Sequence, residues 1–142
     1  MARLLLLSVI GAVLFWSNEP LSADALYWAS EQSGDIHSAN LNGTNEKVVL
    51  TVNQGFFPTG LAIDGSAGKI YWTDNIMGTI GRADLNGTNQ QTVFQTNNFQ
   101  NDPGSLALDI PANKMYWTND AAEVVRANLD GSDPQVDRKS VV

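Results

Sequence analysis

Few residues in this sequence offer a starting point for chemistry. His37 is the single histidine. A serine-type triad would need it, and no nucleophile-elbow sequence accompanies it. Its setting reads as a half-exposed strand position, with pH sensing as the other use of a side chain that titrates near neutrality. Four aspartates, Asp64, Asp74, Asp84 and Asp109, recur at strand ends, where converging carboxylates offer oxygen ligands to Ca²⁺. An aspartate at a strand end also accepts backbone N–H bonds from its own turn. That second role is the one expected, and no metal or cofactor is assigned. Cysteine is absent, which excludes disulfides, thiolate metal sites and a cysteine nucleophile. No catalytic set assembles, and the chain reads as non-enzymatic.

Other polar residues occur in matched pairs. Asn42-Gly43-Thr44 and Asn86-Gly87-Thr88 are N-x-Thr acceptors for glycosylation, at Asn42 and Asn86. They also suit tight hairpins, because both central residues of a type I′ turn take positive φ. Lys69 and Lys114 hold equivalent places, as do Arg82 and Arg126, and the arginines are expected to bridge to acidic groups of a neighbouring unit. With 8 basic against 15 acidic side chains and a net charge of -7, no Lys/Arg stripe exists to release counterions from a phosphate backbone, so nucleic acid is excluded as a partner.

The elements that position these residues begin after an address. Arg3 is a short basic region, Leu4 to Trp16 an apolar run of 13 residues, and Ala23-Asp24-Ala25 a small-x-small cleavage pattern. A spanning helix needs about 20 apolar residues, so residues 1–25 are expected to be a signal peptide, and no membrane span is expected. The mature chain is then secreted, displayed on the cell surface or periplasmic.

Beyond the leader the sequence repeats. Every tyrosine is followed by a tryptophan, at Tyr27-Trp28, Tyr71-Trp72 and Tyr116-Trp117, with intervals of 44 and 45 residues. Leu61-Ala62-Ile63-Asp64 and Leu106-Ala107-Leu108-Asp109 precede the second and third pairs. An Ala-x-Leu-x-Gly segment follows each pair, ending at Gly43, Gly87 and Gly131. The middle copy predicts four short strands, over Gly60–Asp64, Lys69–Asp74, Thr79–Leu85 and Gln91–Gln95. Four antiparallel strands every ~40–45 residues mark a β-propeller blade. Successive strand side chains point to opposite faces, so each tyrosine and its tryptophan enter different seams, and both are buried only when a blade has a neighbour on each side.

Tyr71-Trp72-Thr73-Asp74, with Leu61-Ala62-Ile63-Asp64 before it and Ala83-Asp84-Leu85-Asn86-Gly87 after it, resembles the YWTD repeat, the class B repeat of the low-density lipoprotein receptor family. Two departures stand out. Tyr27-Trp28-Ala29-Ser30 loses Thr and Asp, and Tyr116-Trp117-Thr118-Asn119 replaces Asp by Asn. The resemblance implies an all-β, six-bladed, TolB-like propeller that binds macromolecules outside the cell without catalysis. Repeats at 26–57, 58–102 and 103–136 supply three blades of that ring. The first copy is expected to lack its first strand, and the third to end as its fourth strand forms, near Gln135-Val136. Asp137-Arg138-Lys139-Ser140-Val141-Val142 is what GAT CGG AAG AGC GTC GTG, a sequencing-adapter sequence, encodes, so 137–142 read as a non-native tail.

The expected function is recognition of a protein ligand. Loops on a rigid scaffold collect binding residues, and the long connections Val52–Pro58 and Thr96–Pro103 carry Phe56, Phe57 and Phe99. The alternatives are a lactonase-like or lyase-like propeller enzyme with an axial metal, and a structural repeat of a large surface protein. An incomplete ring also leaves apolar blade faces exposed, so self-association is expected.

Overall fold

The computed structural model describes residues 12–15, 25–30, 33–52, 58–96 and 101–137. These form twelve strands in three antiparallel sheets of four, each in simple sequential order. The first sheet is β1 (Ala12–Phe15), β2 (Ala25–Ser30), β3 (Asp35–Asn40) and β4 (Lys47–Thr51). The second is β5 (Pro58–Asp64), β6 (Lys69–Asp74), β7 (Thr79–Asp84) and β8 (Gln91–Gln95). The third is β9 (Pro103–Asp109), β10 (Lys114–Asn119), β11 (Val124–Asn128) and β12 (Gln135–Val136). β5 lies against β9, and β1 and β2 lie against β5. The first strands therefore cluster at one side, and the sheets fan outward as consecutive blades of an incomplete propeller ring.

Burial follows position in the ring. β5 and β6 in the middle blade are buried along nearly their whole length, whereas in the last blade β9 beyond Pro103 alternates half-buried and exposed residues and β10 alternates buried and more exposed ones. A sheet covered on both faces buries every side chain, and one covered on a single face buries every second one. The core is accordingly two seams. One joins Ile36, Leu50 and Val52 of the first blade to Leu61, Ile63, Ile70, Trp72 and Ala83 of the second. The other joins Tyr71 and Ile80 of the second to Met115, Trp117, Val125, Ala127 and Leu129 of the third.

The structure departs from the sequence reading in two places. The first blade does have a first strand. β1 pairs with β2 so that Ala12 faces Trp28 and Val13 faces Tyr27, the register in which Leu61 and Ala62 face Trp72 and Tyr71. These residues come from the apolar run read as a leader, which lacks the Leu-Ala-x-Asp signature. The Asn-Gly connections are not two-residue type I′ hairpins either. Six residues separate β7 from β8, and positive φ falls on Gly87 (85°) and Asn89 (54°) instead of on Asn86 and Gly87. Asn86 instead accepts bonds from Thr88 N and Thr88 Oγ1 through its Oδ1, an Asx turn that holds the wider loop.

Candidate functional site

Polar side chains of the repeat meet at the seams. Tyr71 and Trp72 diverge as strand alternation requires: Trp72 packs toward the first blade and Tyr71 toward the third. Thr73, fully buried, links two blades through one hydroxyl. Its Oγ1 accepts from Gly60 N at 2.7 Å and donates to Gly104 O of the third blade at 2.6 Å. Arg82 donates through Nη1 to Tyr71 Oη at 3.4 Å and to Leu129 O of the next blade at 3.3 Å. Its guanidinium carbon lies 5.7 Å from the Tyr71 ring centre. The expected acidic partner of Arg82 is therefore a backbone carbonyl, and Arg126 bonds Gln135 Oε1 inside its own blade. An arginine fork serves the seam in either role, because its several N–H groups reach an acceptor and cover a ring together.

The repeat glycines close the seams. Val49 and Val93 are the extra residues where β4 and β8 bulge against β3 and β7. A bulged residue leaves the ladder, and the turn of the following blade packs onto its carbonyl. An ideal Cβ on Gly87 would sit 2.0 Å from Val49 O, and one on Gly131 1.7 Å from Val93 O. Gly43, with the same backbone conformation (φ 79°), has nothing within 4 Å.

The repeated aspartates serve their own turns. Asp64 Oδ1 accepts from Ser66 Oγ and Ala67 N, Asp74 Oδ1 from Ile76 N and Met77 N, and Asp109 Oδ1 from Ala112 N. Asp84 is held by Lys69, Thr88 and Asn89. The Lys69 contact leads the effects that lower its pKa. Among the described residues no three His, Cys, Asp or Glu side chains are grouped to hold a metal. His37 stacks on Trp28 at 5.4 Å and pairs with Glu46 at 3.4 Å, on the third strand of its blade. Asn42 and Asn86 are exposed, each holding an Asx turn that the third copy builds with Asp130 and Ser132.

One buried acidic pair was not singled out in the sequence. Asp74 Oδ2 and Asp102 Oδ1 are both buried without a hydrogen-bond partner. Burial, reinforced by the charges of Asp120 and Asp74, raises the Asp102 pKa. The folded state thus favours protonated Asp102. Stability from this group is fully present below the unfolded carboxyl pKa and is lost as pH rises through the raised folded value. Asp102→Asn, which removes the charge, is expected to raise the melting temperature at neutral pH. The gain over wild type should vanish in acid below the ordinary carboxyl range. Thermal melts of both proteins across that range check this, and a variant that melts lower at neutral pH contradicts it.

Phe56, Phe57 and Phe99 lie outside the described residues, as do residues 1–11, 16–24 and 138–142. No helix among the described residues is long and apolar enough to cross a membrane.

Residues 68–110 match the family described as low-density lipoprotein receptor repeat class B. No curated protein sequence matches the chain. Among solved structures, one from a nidogen/laminin complex superposes with a TM-score of 0.70 at 24% identity, over 79% of this chain and 43% of that one. Virginiamycin B lyase from Staphylococcus aureus gives 0.66 at 18%, over 89% and 41%. A structure described as TolB from Agrobacterium tumefaciens gives 0.64 at 14%, over 88% and 48%. At these identities the likeness shows the propeller fold. The chain spans less than half the length of each of these structures.

Proposed function

We propose that this chain, with its class B repeat of the low-density lipoprotein receptor type at residues 68–110, belongs to an exported propeller that binds another protein without catalysis. The observation that carries this reading is the use to which the repeat's polar residues are put. Thr73 and Arg82 join neighbouring blades, while Asp64 and Asp74 hold turns. Side chains committed in this way make a rigid support, and recognition then falls to the connections between blades. Phe56, Phe57 and Phe99 stand on those connections, and aromatic residues are favoured as binding hot spots. The nidogen of the nidogen/laminin complex, similar in fold, is a protein with a protein partner. Export outside the cell, to its surface or to the periplasm rests on reading residues 1–25 as a leader; its removal would take β1 (Ala12–Phe15) with it and leave the first blade three strands.

The lyase and TolB relatives share the fold at comparable TM-scores, and the chain's one imidazole bears on that second reading. His37 sits two strands out from the innermost strand of its blade, engaged with Trp28 and Glu46, not at the axis where propeller strands converge.

The test is capture of secreted or surface proteins by the immobilised full chain, against a variant with Phe56, Phe57 and Phe99 all changed to serine. Wild type should take up a saturable protein partner. The triple variant should lose at least roughly tenfold in affinity, since hot-spot truncations cost ~2 kcal/mol or more, with its melting temperature unchanged. Equal capture by both proteins, or loss of capture together with loss of folding, defeats the proposal.

A further inference from the structure

Asn86 stands in the turn between β7 and β8, in the described blade that has a neighbour on each side. That turn presses on the first blade through Gly87, where an added Cβ would meet Val49 O, yet Asn86 itself is exposed. Its counterpart Asp130 is exposed as well, although Gly131 presses on Val93 O. A blade packed on this turn therefore leaves the residue before the glycine in solvent. Asn42 holds the same place before Gly43 and is exposed too. A blade standing ahead of the first would not cover it.

The turn itself needs only an oxygen at this position. Oδ1 of Asn42 accepts from Thr44 N at 3.0 Å and from Thr44 Oγ1 at 2.6 Å. Oδ1 of Asn86 accepts from the same two atoms of Thr88 at the same distances. In the third copy Asp130 Oδ1 takes both bonds from Ser132, at 2.9 and 2.6 Å. An aspartate closes the loop equally well, so turn chemistry does not account for an amide. Among the described residues the Nδ2 of neither asparagine has a hydrogen-bond partner. No other asparagine in the sequence has serine or threonine two residues on.

We propose that Asn42 and Asn86 each carry an N-linked oligosaccharide, added from a lipid-linked donor in a secretory pathway that has an oligosaccharyl transferase. The bond between C1 of the first sugar and the phosphate oxygen of the polyprenyl diphosphate breaks, and a bond from Nδ2 to C1 forms. Nδ2 gives up one proton to a base of the transferase, and the polyprenyl diphosphate leaves with the bonding electrons. The product keeps the amide carbonyl. Oδ1 thus still accepts both turn bonds, and the folded blade tolerates the substituent.

Topology also fixes the edge on which the sugars stand. β8 starts after the Asn86 turn and ends at the connection toward β9, and β4 runs likewise from the Asn42 turn toward β5. Each of these strands has five residues, about 17 Å at ~3.4 Å per residue. The sugars occupy the far ends of these strands from the connections to which recognition is assigned above. A glycan there does not stand in the way of a partner held by those connections. The inference rests on the export part of the proposed function and not on its phenylalanines.

The test expresses the full chain in a eukaryotic secretory cell, once as it stands and once with a heterologous leader placed ahead of Met1. Chain recovered from the medium or from the protease-protected lumen should lose two steps of mobility on treatment with an N-glycosidase. That treatment converts a glycan-bearing asparagine to aspartate, so peptide mass spectrometry should place one site at Asn42 and one at Asn86. Asn42→Asp and Asn86→Asp keep the turn oxygen, as Asp130 does. Each should lose one step, and the double variant both. Glycans found only with the added leader support the two sites and defeat the export reading instead. A chain that reaches the lumen with either site bare overturns the proposal, as does a glycosidase-sensitive step that survives in the double variant.

Discussion

Gly131→Ala is expected to destabilise the fold by about 3 kcal/mol and lower the melting temperature by about 10 °C. Two costs combine. Gly131 has φ 85°, and an L-residue in left-handed backbone is disfavoured by about 1–2 kcal/mol. The new methyl carbon would also lie 1.7 Å from Val93 O and 2.6 Å from Val93 C. Both are backbone atoms, which no rotamer change can move, so the seam between the second and third blades must open, at a cost typical of overpacking, about 1–3 kcal/mol. Gly87→Ala, 2.0 Å from Val49 O, should behave alike. Gly43→Ala separates the two costs, since it keeps the positive φ but meets nothing within 4 Å. It should lose only the conformational part. Equal losses at Gly43 and Gly131 would show that blade contact does not constrain this glycine.

The second large effect concerns the tryptophans. Trp117→Ala should cost about 3–5 kcal/mol, the range for emptying a buried aromatic site. Trp117 is 2% exposed and packs on Phe94 of the second blade, with ring centres 4.7 Å apart and planes at 49°. Truncation leaves a cavity across the seam that backbone on either side cannot collapse into, because both walls are sheets. Trp28→Ala removes the same atoms from the same repeat position, but Trp28 is only half-buried and its ring partner is His37 of its own blade. Its loss should be well under half as large in the separate chain. Urea unfolding followed by far-UV circular dichroism compares the two without depending on tryptophan emission. Similar losses would mean that the aromatic couple acts within a blade and not between blades.

The tryptophans also show how far the sequence could be read. Alternation along a strand is a local property, so sending Tyr71 and Trp72 to opposite faces needed no tertiary information. It did not say which seam each would enter. Trp72 faces the preceding blade because the order of blades around the ring and the handedness of the sheet decide it together. Gly81 opposite Trp72, an unremarked strand residue in the sequence, is needed because the indole lies on it: a Cβ there would be 2.3 Å from the ring. The third copy places Val125 at that register position and the first places His37. No pattern at that position was therefore available to read.

The polar residues divide in the same way. Asp64 and Asp109 bind their own turns, as an aspartate two or three residues before free N–H groups does in any context. Arg82 was expected to seek a carboxylate, and instead found Leu129 O, because only the packed third blade brings that carbonyl within reach. Asp102 gave no signal, since its burial beside Asp74 is made by a neighbouring blade.

By itself the sequence determined three copies of one four-stranded unit (the first read without its first strand), the strand boundaries to within two residues in the middle copy, and the turn chemistry of the aspartates. These follow from periodicity and from hydrogen bonds that close over a few residues. Only the tertiary structure decided which face of each blade is covered, which glycines press on a neighbouring carbonyl, and that Ala12–Phe15 takes the inner edge of the first blade. Each of those depends on atoms about one repeat or more apart in the chain, or on an edge whose backbone hydrogen bonds any sufficiently apolar extended segment can satisfy.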